Sequence, residues 1–549
     1  MTLENKKLLP IGIDDFRKIR ESEVGYYYID KTLMIQDFIQ YGNFVTLITR
    51  PRRFGKTLNM TMIRDFFDVT QKSNAIFDGL SIMDTSLANK INSTPVISLS
   101  LKGCTGATLE DLKASIALEV RKEYVKYKDI IKNVDNNHYP YMLYFRTLDK
   151  LLNEDIDDSS LKNSLAYLLE ALYTFYGRNP ILLIDEYDNP IIEAHQQGFR
   201  PEFTSFYGSF LTMTLKGNPH LGQALLTGIQ RVAKESIFSK LNNIVVYNVL
   251  DEKYAPYFGL TTAETRELLV HYDLELTDEV RLRYDGYLFG EIEMYNPWSI
   301  LSYANKKRLQ NYWLKTSTNA LIKESVLEAQ EDFHWSFENL IKNGEVEVTL
   351  NLEASFAELP RTDTLWGLFV NAGYLTVTSE DYDLNSFTVK IPNTEIKTEF
   401  QEIVGAYTKI SSQLFTEMLR SLTRGQMTEF MKVYEKLVLE STSFHDVKEN
   451  AYHMLMLGMV MNLQELYEIK SNIESGHGRS DIIMKSKDKK RPHIVIEFKQ
   501  GKDVEVLKYE ALKQIHENKY YSGLEGEILL VGIAHDIKKC QLTHETITV

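Results

Sequence analysis

The chain has 549 residues, 44% of them hydrophobic and 25% charged, with a formal net charge of −14. That length exceeds what one core holds and sets an expectation of about three or four domains. The ordinary composition, with 32 Tyr and 26 Phe, excludes a disordered chain, and the acidic balance means that any nucleic-acid contact must come from a local basic surface.

Cys104 and Cys540 are the only cysteines. Two cysteines so far apart give neither a zinc-site spacing nor a disulfide framework, which fits a reducing cytoplasm. Lys6 and Lys7 precede no apolar stretch of the kind a signal peptide needs. The longest apolar run, residues 451–460, contains His453 and is too short to span a bilayer. The expectation is a soluble, cytoplasmic protein without a membrane partner.

In chain order, residues 43–49 read Asn-Phe-Val-Thr-Leu-Ile-Thr, an apolar and β-branched run expected as a strand. An amphipathic helical pattern follows over 58–67, and strand, loop, helix is the order a phosphate-binding loop requires. The intervening loop, Arg-Pro-Arg-Arg-Phe-Gly-Lys-Thr over 50–57, matches the second half of GxxxxGK[ST] and carries Arg50 in place of the first glycine. Cofactor contacts are expected from Arg52, Arg53, Phe54, Gly55, Lys56 and Thr57. Backbone N–H groups wrap the β-phosphate, Lys56 bridges β and γ oxygens, and the Thr57 hydroxyl ligates Mg²⁺.

Further buried strands are expected at 96–101, 181–184 and 224–227, with helices over 109–127 and 161–176 between them. Such alternation implies a parallel sheet with helices on both faces. Residues 180–186 read Pro-Ile-Leu-Leu-Ile-Asp-Glu, a hydrophobic strand ending in two acids. Asp185 would hold Mg²⁺ through water and Glu186 would polarise the attacking water. Alone, that run is equally a buried strand with solvated carboxylates at its end; the order Walker A then Walker B favours an ATP site. Thr227 ends another strand, where a polar residue can sense a γ-phosphate. Arg231 beyond it is either a surface charge or a finger into a neighbour's site, which would require a homo-oligomer.

After about residue 250 the pattern is mostly helical, as at 262–271 and 321–330. A helix over 365–372 ending at Gly373, then strands at 374–378 and 387–391 around an acidic turn, is compatible with a small winged-helix module. A Met-rich helix at 452–461 opens an α/β pattern that runs to 531.

Gly478-Arg-Ser-Asp481 begins one strand of that pattern and His493-Ile-Val-Ile-Glu-Phe-Lys499 forms the next. Alternation puts Glu497 and Lys499 on one face, and Asp481 meets them if the hairpin register allows. Asp481, Glu497 and the Phe498 carbonyl would bind Mg²⁺, while Lys499 orients the nucleophile for phosphodiester cleavage. A cross-strand Glu–Lys surface pair is the plainer account of Glu497 and Lys499 alone. Glu449 would add a carboxylate, the turn Lys485, Lys487, Lys489, Lys490 and Arg491 would steer phosphate, and Gln514 and Lys519 on a helix over 504–521 would touch a substrate backbone. Solvated turns and an exposed helix face explain those features equally well.

With these segments in view, the chain resembles the bacterial and archaeal proteins described as AAA-ATPase-like with a PD-(D/E)xK nuclease domain. The resemblance rests on Leu-Pro-Ile-Gly-Ile-Asp-Asp-Phe at 9–16, Tyr-Ile-Asp-Lys at 28–31, the 50–57 loop, Asp-Glu-Tyr-Asp-Asn-Pro-Ile at 185–191 and Thr-Gly-Ile-Gln-Arg-Val-Ala-Lys-Glu-Ser at 227–236. Tyr-Asp-Gly-Tyr at 284–287, Tyr-Asn-Pro-Trp at 295–298 and Gly-His-Gly-Arg-Ser-Asp at 476–481 with Glu497 and Lys499 complete it. Arg50 in place of the Walker glycine belongs to that family's pattern.

The reading is therefore an α/β multidomain protein. It comprises a P-loop NTPase parallel sheet over 1–250, a mainly helical lid or linker with a winged-helix module over 251–440, and a restriction-endonuclease-like α/β domain over 441–549. ATP and Mg²⁺ are the expected cofactors. The expected function is ATP control of a Mg²⁺-dependent nuclease acting on DNA ahead of RNA, with defence against foreign DNA implied by the architecture. The alternative is a nucleotide-switched sensor whose nuclease-like domain only binds.

Overall fold

The computed structural model describes residues 6–549 except 136, 232–242, 314–321, 323–324, 327–328, 354–360, 382, 398–399, 401–411, 441–455, 457–458, 461–462, 464–465, 476–477, 489 and 537–538. Glu449, Lys489 and most of the helices expected at 321–330 and 452–461 fall outside the described residues. The chain forms two units, one of Met1–Lys315 with Glu347–Glu395, the other of Thr316–Val346 with Ile396–Val549.

In the first unit, five apolar runs become a sheet: β1 (Val45–Thr49), β2 (Val96–Ser100), β3 (Ile181–Asp185), β4 (Gln223–Gly228) and β5 (Ile244–Tyr247). Their order is β2-β3-β4-β1-β5, and every neighbouring pair is parallel. Each residue of β1 and β3 is buried, as strands covered on both faces should be. The Leu109–Ile131 helix starts at a capping box formed by Thr108 and Asp111, and Asp158–Tyr176 starts at an Asp157 cap and stops at Gly177. Their apolar faces, with Tyr124, Leu165 and Leu168, join Leu182 and Leu226 of the sheet in one core.

The register decides the function of one sheet edge. Thr49 pairs with Gly228 and Ile184 with Leu226, so the loop after β1 and the ends of β3 and β4 emerge side by side. In a parallel sheet, that carboxyl edge is where ligands bind.

Short strands follow where the sequence pattern is mainly helical. β6 (Leu260–Thr261), β7 (Tyr287–Phe289) and β8 (Ile292–Tyr295) form an antiparallel sheet among the helices Thr262–His271, Asp278–Tyr284 and Pro297–Lys306. Runs of two to four residues are too short for an alternation to register against helical neighbours. The helix-plus-hairpin pattern appears as Thr362–Ala372, stopped by Gly373, before β10 (Thr376–Asp381) and β11 (Ser386–Lys390), with β9 (Glu345–Val348) as the third strand of that sheet.

The second unit carries the sheet β12 (Tyr467–Ser475), β13 (Gly478–Ser486), β14 (His493–Gln500), β15 (Glu527–Asp536) and β16 (Lys539–Thr548), in that order. Only β14 and β15 run parallel, and the Val504–Asn518 helix makes the crossover between them. Ile483, Val495, Ile515, Ile528 and Leu530 form its core. Among the described residues, no helix is long and apolar enough to cross a membrane.

Candidate functional site

Two clusters of functional side chains form, one in each unit. The first lies at the carboxyl edge of the parallel sheet. Gly55 sits at φ +85°, a left-handed conformation that lets the chain turn from the loop into the Lys56–Phe67 helix. No side chain caps that helix, so its first N–H groups face the loop as anion donors. Lys56 is buried, and its Nζ donates to the carbonyls of Arg50 and Pro51, both at 2.9 Å. Burial lowers its pKa, against the raising influence of Glu186, Asp185 and Asp188.

Asp185 is the hub. Its Oδ2 accepts from the Thr57 hydroxyl at 2.6 Å and its Oδ1 from the Thr227 hydroxyl at 2.5 Å. The sequence-expected Thr57, Asp185 and Thr227 thus converge, with Lys56 on the same loop. Glu186 stands one residue further on at φ +52°, in left-handed backbone that a non-glycine residue occupies only when its surroundings impose it. Burial raises its carboxyl above the usual carboxylate range, partly offset by the Lys56 ammonium.

The remaining loop residues divide by role. Phe54 is fully buried, with its ring 5.0 Å from Tyr287 and 5.1 Å from Phe289, so only its backbone faces the loop's interior. Arg53, at φ +67°, stacks its guanidinium 4.3 Å over Trp298 and donates to the carbonyls of Tyr312 and Trp313, both at 3.2 Å. Arg52 is half-buried, and its like charge adds to the lowering of the Lys56 pKa. Arg50 is wholly buried between the rings of Phe258 and Phe289, and burial pushes its guanidinium down to about 9. It donates to the carbonyls of Thr49 and Tyr247, fastening the loop's start to the sheet.

Asp188 escaped the sequence reading. It is buried and accepts from the backbone N–H groups of Ile229 and Gln230, at 2.8 and 3.1 Å. Tyr187 N–H donates to the Thr227 carbonyl, and its hydroxyl to the Gln230 carbonyl. The turn after β3 and the tip of β4 are thereby locked together. A second aspartate three residues after Asp185 was the available signal. Arg231 pairs with Glu353 of the same unit.

An apolar cleft flanks the start of the Lys56–Phe67 helix. Tyr28, Leu58, Tyr257, Leu260, Pro297 and Leu301 line it beside Gly55 and Asn59. Its polar groups are largely engaged: Lys31 Nζ bonds Glu264 and the Pro256 carbonyl, and the Asn59 amide bonds the Tyr257 carbonyl at 2.8 Å.

The second cluster is built on one hairpin. Ile482 pairs with Ile496, so the same register sets Asp481 across from Glu497. The Asp481 N–H donates to Glu497 Oε2 at 3.3 Å, and the Phe498 N–H donates to Asp481 Oδ2 at 2.8 Å. Glu497 is buried, and Lys499, two residues along the same face, holds its Nζ 3.8 Å from Glu497 Oε1. Gln514 of the crossover helix reaches in, donating from Nε2 to Glu497 Oε1 at 2.5 Å and to the Tyr520 hydroxyl at 2.9 Å. That approach depends on Gly532, paired with Glu497 on β15: a Cβ there would stand 2.4 Å from the Lys508 carbonyl oxygen and 2.8 Å from the Leu512 nitrogen. Lys519, expected beside Gln514, is the left-handed residue that ends the helix. Arg491 of the basic turn pairs with Asp488.

Among the described residues, no group of three or more His, Cys, Asp or Glu converges on one point. Among the described residues, the carboxylates at the hairpin are Asp481 and Glu497, which a cation would complete with carbonyl, water and substrate oxygens. Hard divalent cations accept such an oxygen set, and Mg²⁺ in particular keeps several waters. At the sheet edge, the Thr57 hydroxyl and Asp185 carboxylate form the oxygen pair that a nucleotide-bound Mg²⁺ takes.

Fold and sites together define a P-loop ATPase-like module joined to a nuclease-like α/β module. Residues 10–238 match the family described as a predicted AAA-ATPase, and residues 447–545 match the PD-(D/E)XK nuclease superfamily. The chain thus has the architecture of an AAA-ATPase-like protein with a C-terminal PD-(D/E)XK nuclease-superfamily domain. It is 26% identical over 403 residues to an uncharacterized protein in the vnfD 5′ region of Azotobacter chroococcum, covering 72% of this chain and 70% of that one. A Walker-type ATPase of Pyrococcus abyssi matches at 13% identity with a TM-score of 0.33, over 72% of this chain and 98% of that one.

Proposed function

We propose that the chain binds and hydrolyses ATP with Mg²⁺ in its first unit and uses that cycle to control a Mg²⁺-dependent nuclease in its second, acting on DNA in the cytoplasm. The observation that carries the reading is the convergence of Thr57 and Thr227 on the two oxygens of Asp185 beside Lys56. Lys56 would exchange the Arg50 and Pro51 carbonyls for β- and γ-phosphate oxygens, and the helix N–H groups would take the β-phosphate. Thr57 and Asp185 would hold the cation, which supplies charge neutralisation on the phosphates. Glu186 would orient the attacking water and Thr227 would sense the γ-phosphate. The apolar cleft beside Asn59 would take the base by shape, since its polar groups are already spent; ATP and GTP then bind with similar affinity.

In the second unit, Asp481, Glu497 and the Phe498 carbonyl would hold the cation that activates water. Lys499 would orient the nucleophile, and Gln514 would fix the Glu497 carboxylate. Defence against foreign DNA is the role this pairing of modules fits.

Titration with a fluorescent ATP analogue and, separately, with Mn²⁺ tests both halves. Saturable nucleotide binding lost in Lys56→Ala, and Mn²⁺ binding lost in Asp481→Asn, are the expected results. Nucleotide binding unchanged by Lys56→Ala would overturn the first assignment, and Mn²⁺ binding unchanged by Asp481→Asn the second.

A further inference from the structure

The loop before the Lys56–Phe67 helix carries a side chain, Arg53, whose partners lie where the chain leaves the first unit. That unit is left twice, after Lys315 and after Glu395, each time into the unit that holds the nuclease-like sheet. Tyr312 and Trp313 are the last described residues before the first crossing, and Glu395 is the last residue before the second.

Two of them bond one loop residue directly, and the third bonds those two. Arg53 donates to the Tyr312 and Trp313 carbonyls at 3.2 Å. The Glu395 carboxylate accepts from the N–H groups of the same two residues, at 2.8 Å from Trp313, and from the Ser299 hydroxyl at 2.8 Å. Trp298, over which Arg53 stacks, adds an indole N–H to the Tyr312 carbonyl at 2.9 Å. Burial lowers the Arg53 pKa while Glu395 raises it, and burial raises the Glu395 carboxyl. The guanidinium holds the carbonyls and the carboxylate the N–H groups of the same two residues, so a shift of one disturbs the other.

We infer that Arg53 is a relay: seating a nucleotide in the loop alters its hold on Tyr312 and Trp313, and through them on Glu395, and so reports the state of the ATP site to both points where the chain leaves the first unit. The inference rests on the ATP reading of the loop. Its physical basis is the loop's own bonding. Lys56 spends two of its three N–H donors on the Arg50 and Pro51 carbonyls, so reaching both β- and γ-phosphate oxygens requires it to release at least one. Arg53, two residues on at φ +67°, has an orientation fixed by that loop. A conformational change needs a ligand with different affinity for two arrangements, and the exchange of Lys56 partners supplies that difference.

Amide hydrogen exchange of the full chain tests this. With wild type saturated by Mg²⁺–ATP, saturation being fixed independently with a fluorescent analogue, the exchange rates of the Tyr312 and Trp313 amides should change by about threefold or more. In Arg53→Ala, and in the milder Arg53→Lys, which keeps the charge but loses the fork and the stack, the same saturation should leave them unchanged. An unchanged rate in ATP-saturated wild type, or an equal change in both variants, overturns the relay. Failure of wild type to bind the analogue overturns the ATP reading itself.

Discussion

The two sites gather similar groups from opposite kinds of chain folding. At the nucleotide site, Thr57 lies 128 residues from Asp185, and Thr227 lies 42 residues from it. At the nuclease-like site, the backbone of Asp481 meets Glu497 across 16 residues, and Glu497 meets Gln514 across 17. The first exists only when β1, β3 and β4 have assembled in register. The second needs one hairpin and one crossover helix. A long-range site is sensitive to sheet assembly, and a local one to the fit of single elements.

The contrast can be broken most forcefully at its two hubs. Asp185→Asn removes the charge that gathers Thr57 and Thr227, and phosphate release should fall by roughly 10²–10³-fold. A smaller loss than tenfold would mean the sheet edge is not where ATP is hydrolysed. At the local site, Gln514→Ala leaves Glu497 in place without its Nε2 donor, and metal affinity or cleavage should drop by about 10–100-fold. Gly532→Ala should reproduce that loss by pushing the helix away, with stability lowered by about 1–3 kcal/mol in urea unfolding. Cleavage intact in both variants would separate the crossover helix from the site.

A smaller effect sharpens the electrostatic side. Burial raises the Glu186 carboxyl, so the folded chain holds that proton more tightly than the unfolded chain. Its contribution to stability is then full below the ordinary carboxylate range and is lost as pH rises through the raised value. Glu186→Gln should raise the thermal midpoint at about pH 8, with the gain fading toward about pH 4. A lower midpoint at pH 8 would contradict a buried, costly carboxylate.

Much of both sites was legible because each motif coincides with a strand end or a strand alternation. Residues 43–49 and 180–186 are apolar enough to be read as buried strands, and β1 and β3 are those strands. Strand alternation set Glu497 with Lys499, and the pairing of Ile482 with Ile496 supplied the register that sequence left open. The arginines of the loop were not separable by sequence. Arg53 faces Trp298 because Tyr-Asn-Pro-Trp at 295–298 folds a distant segment against the loop, a contact that no local pattern carries. Asp188 was overlooked because its partners are backbone N–H groups, which leave no trace in residue identity. The short β6, β7 and β8 were lost among helices for want of length.

Cleavage of linear and circular DNA by wild type, Lys499→Ala and Lys56→Ala, with Mg²⁺ or Mn²⁺ and with or without ATP, tests the central claim most directly. The account predicts metal-dependent cutting that disappears in Lys499→Ala and loses its response to ATP in Lys56→Ala. Cutting that persists in Lys499→Ala, or no cutting by wild type while ATP is hydrolysed, would contradict it.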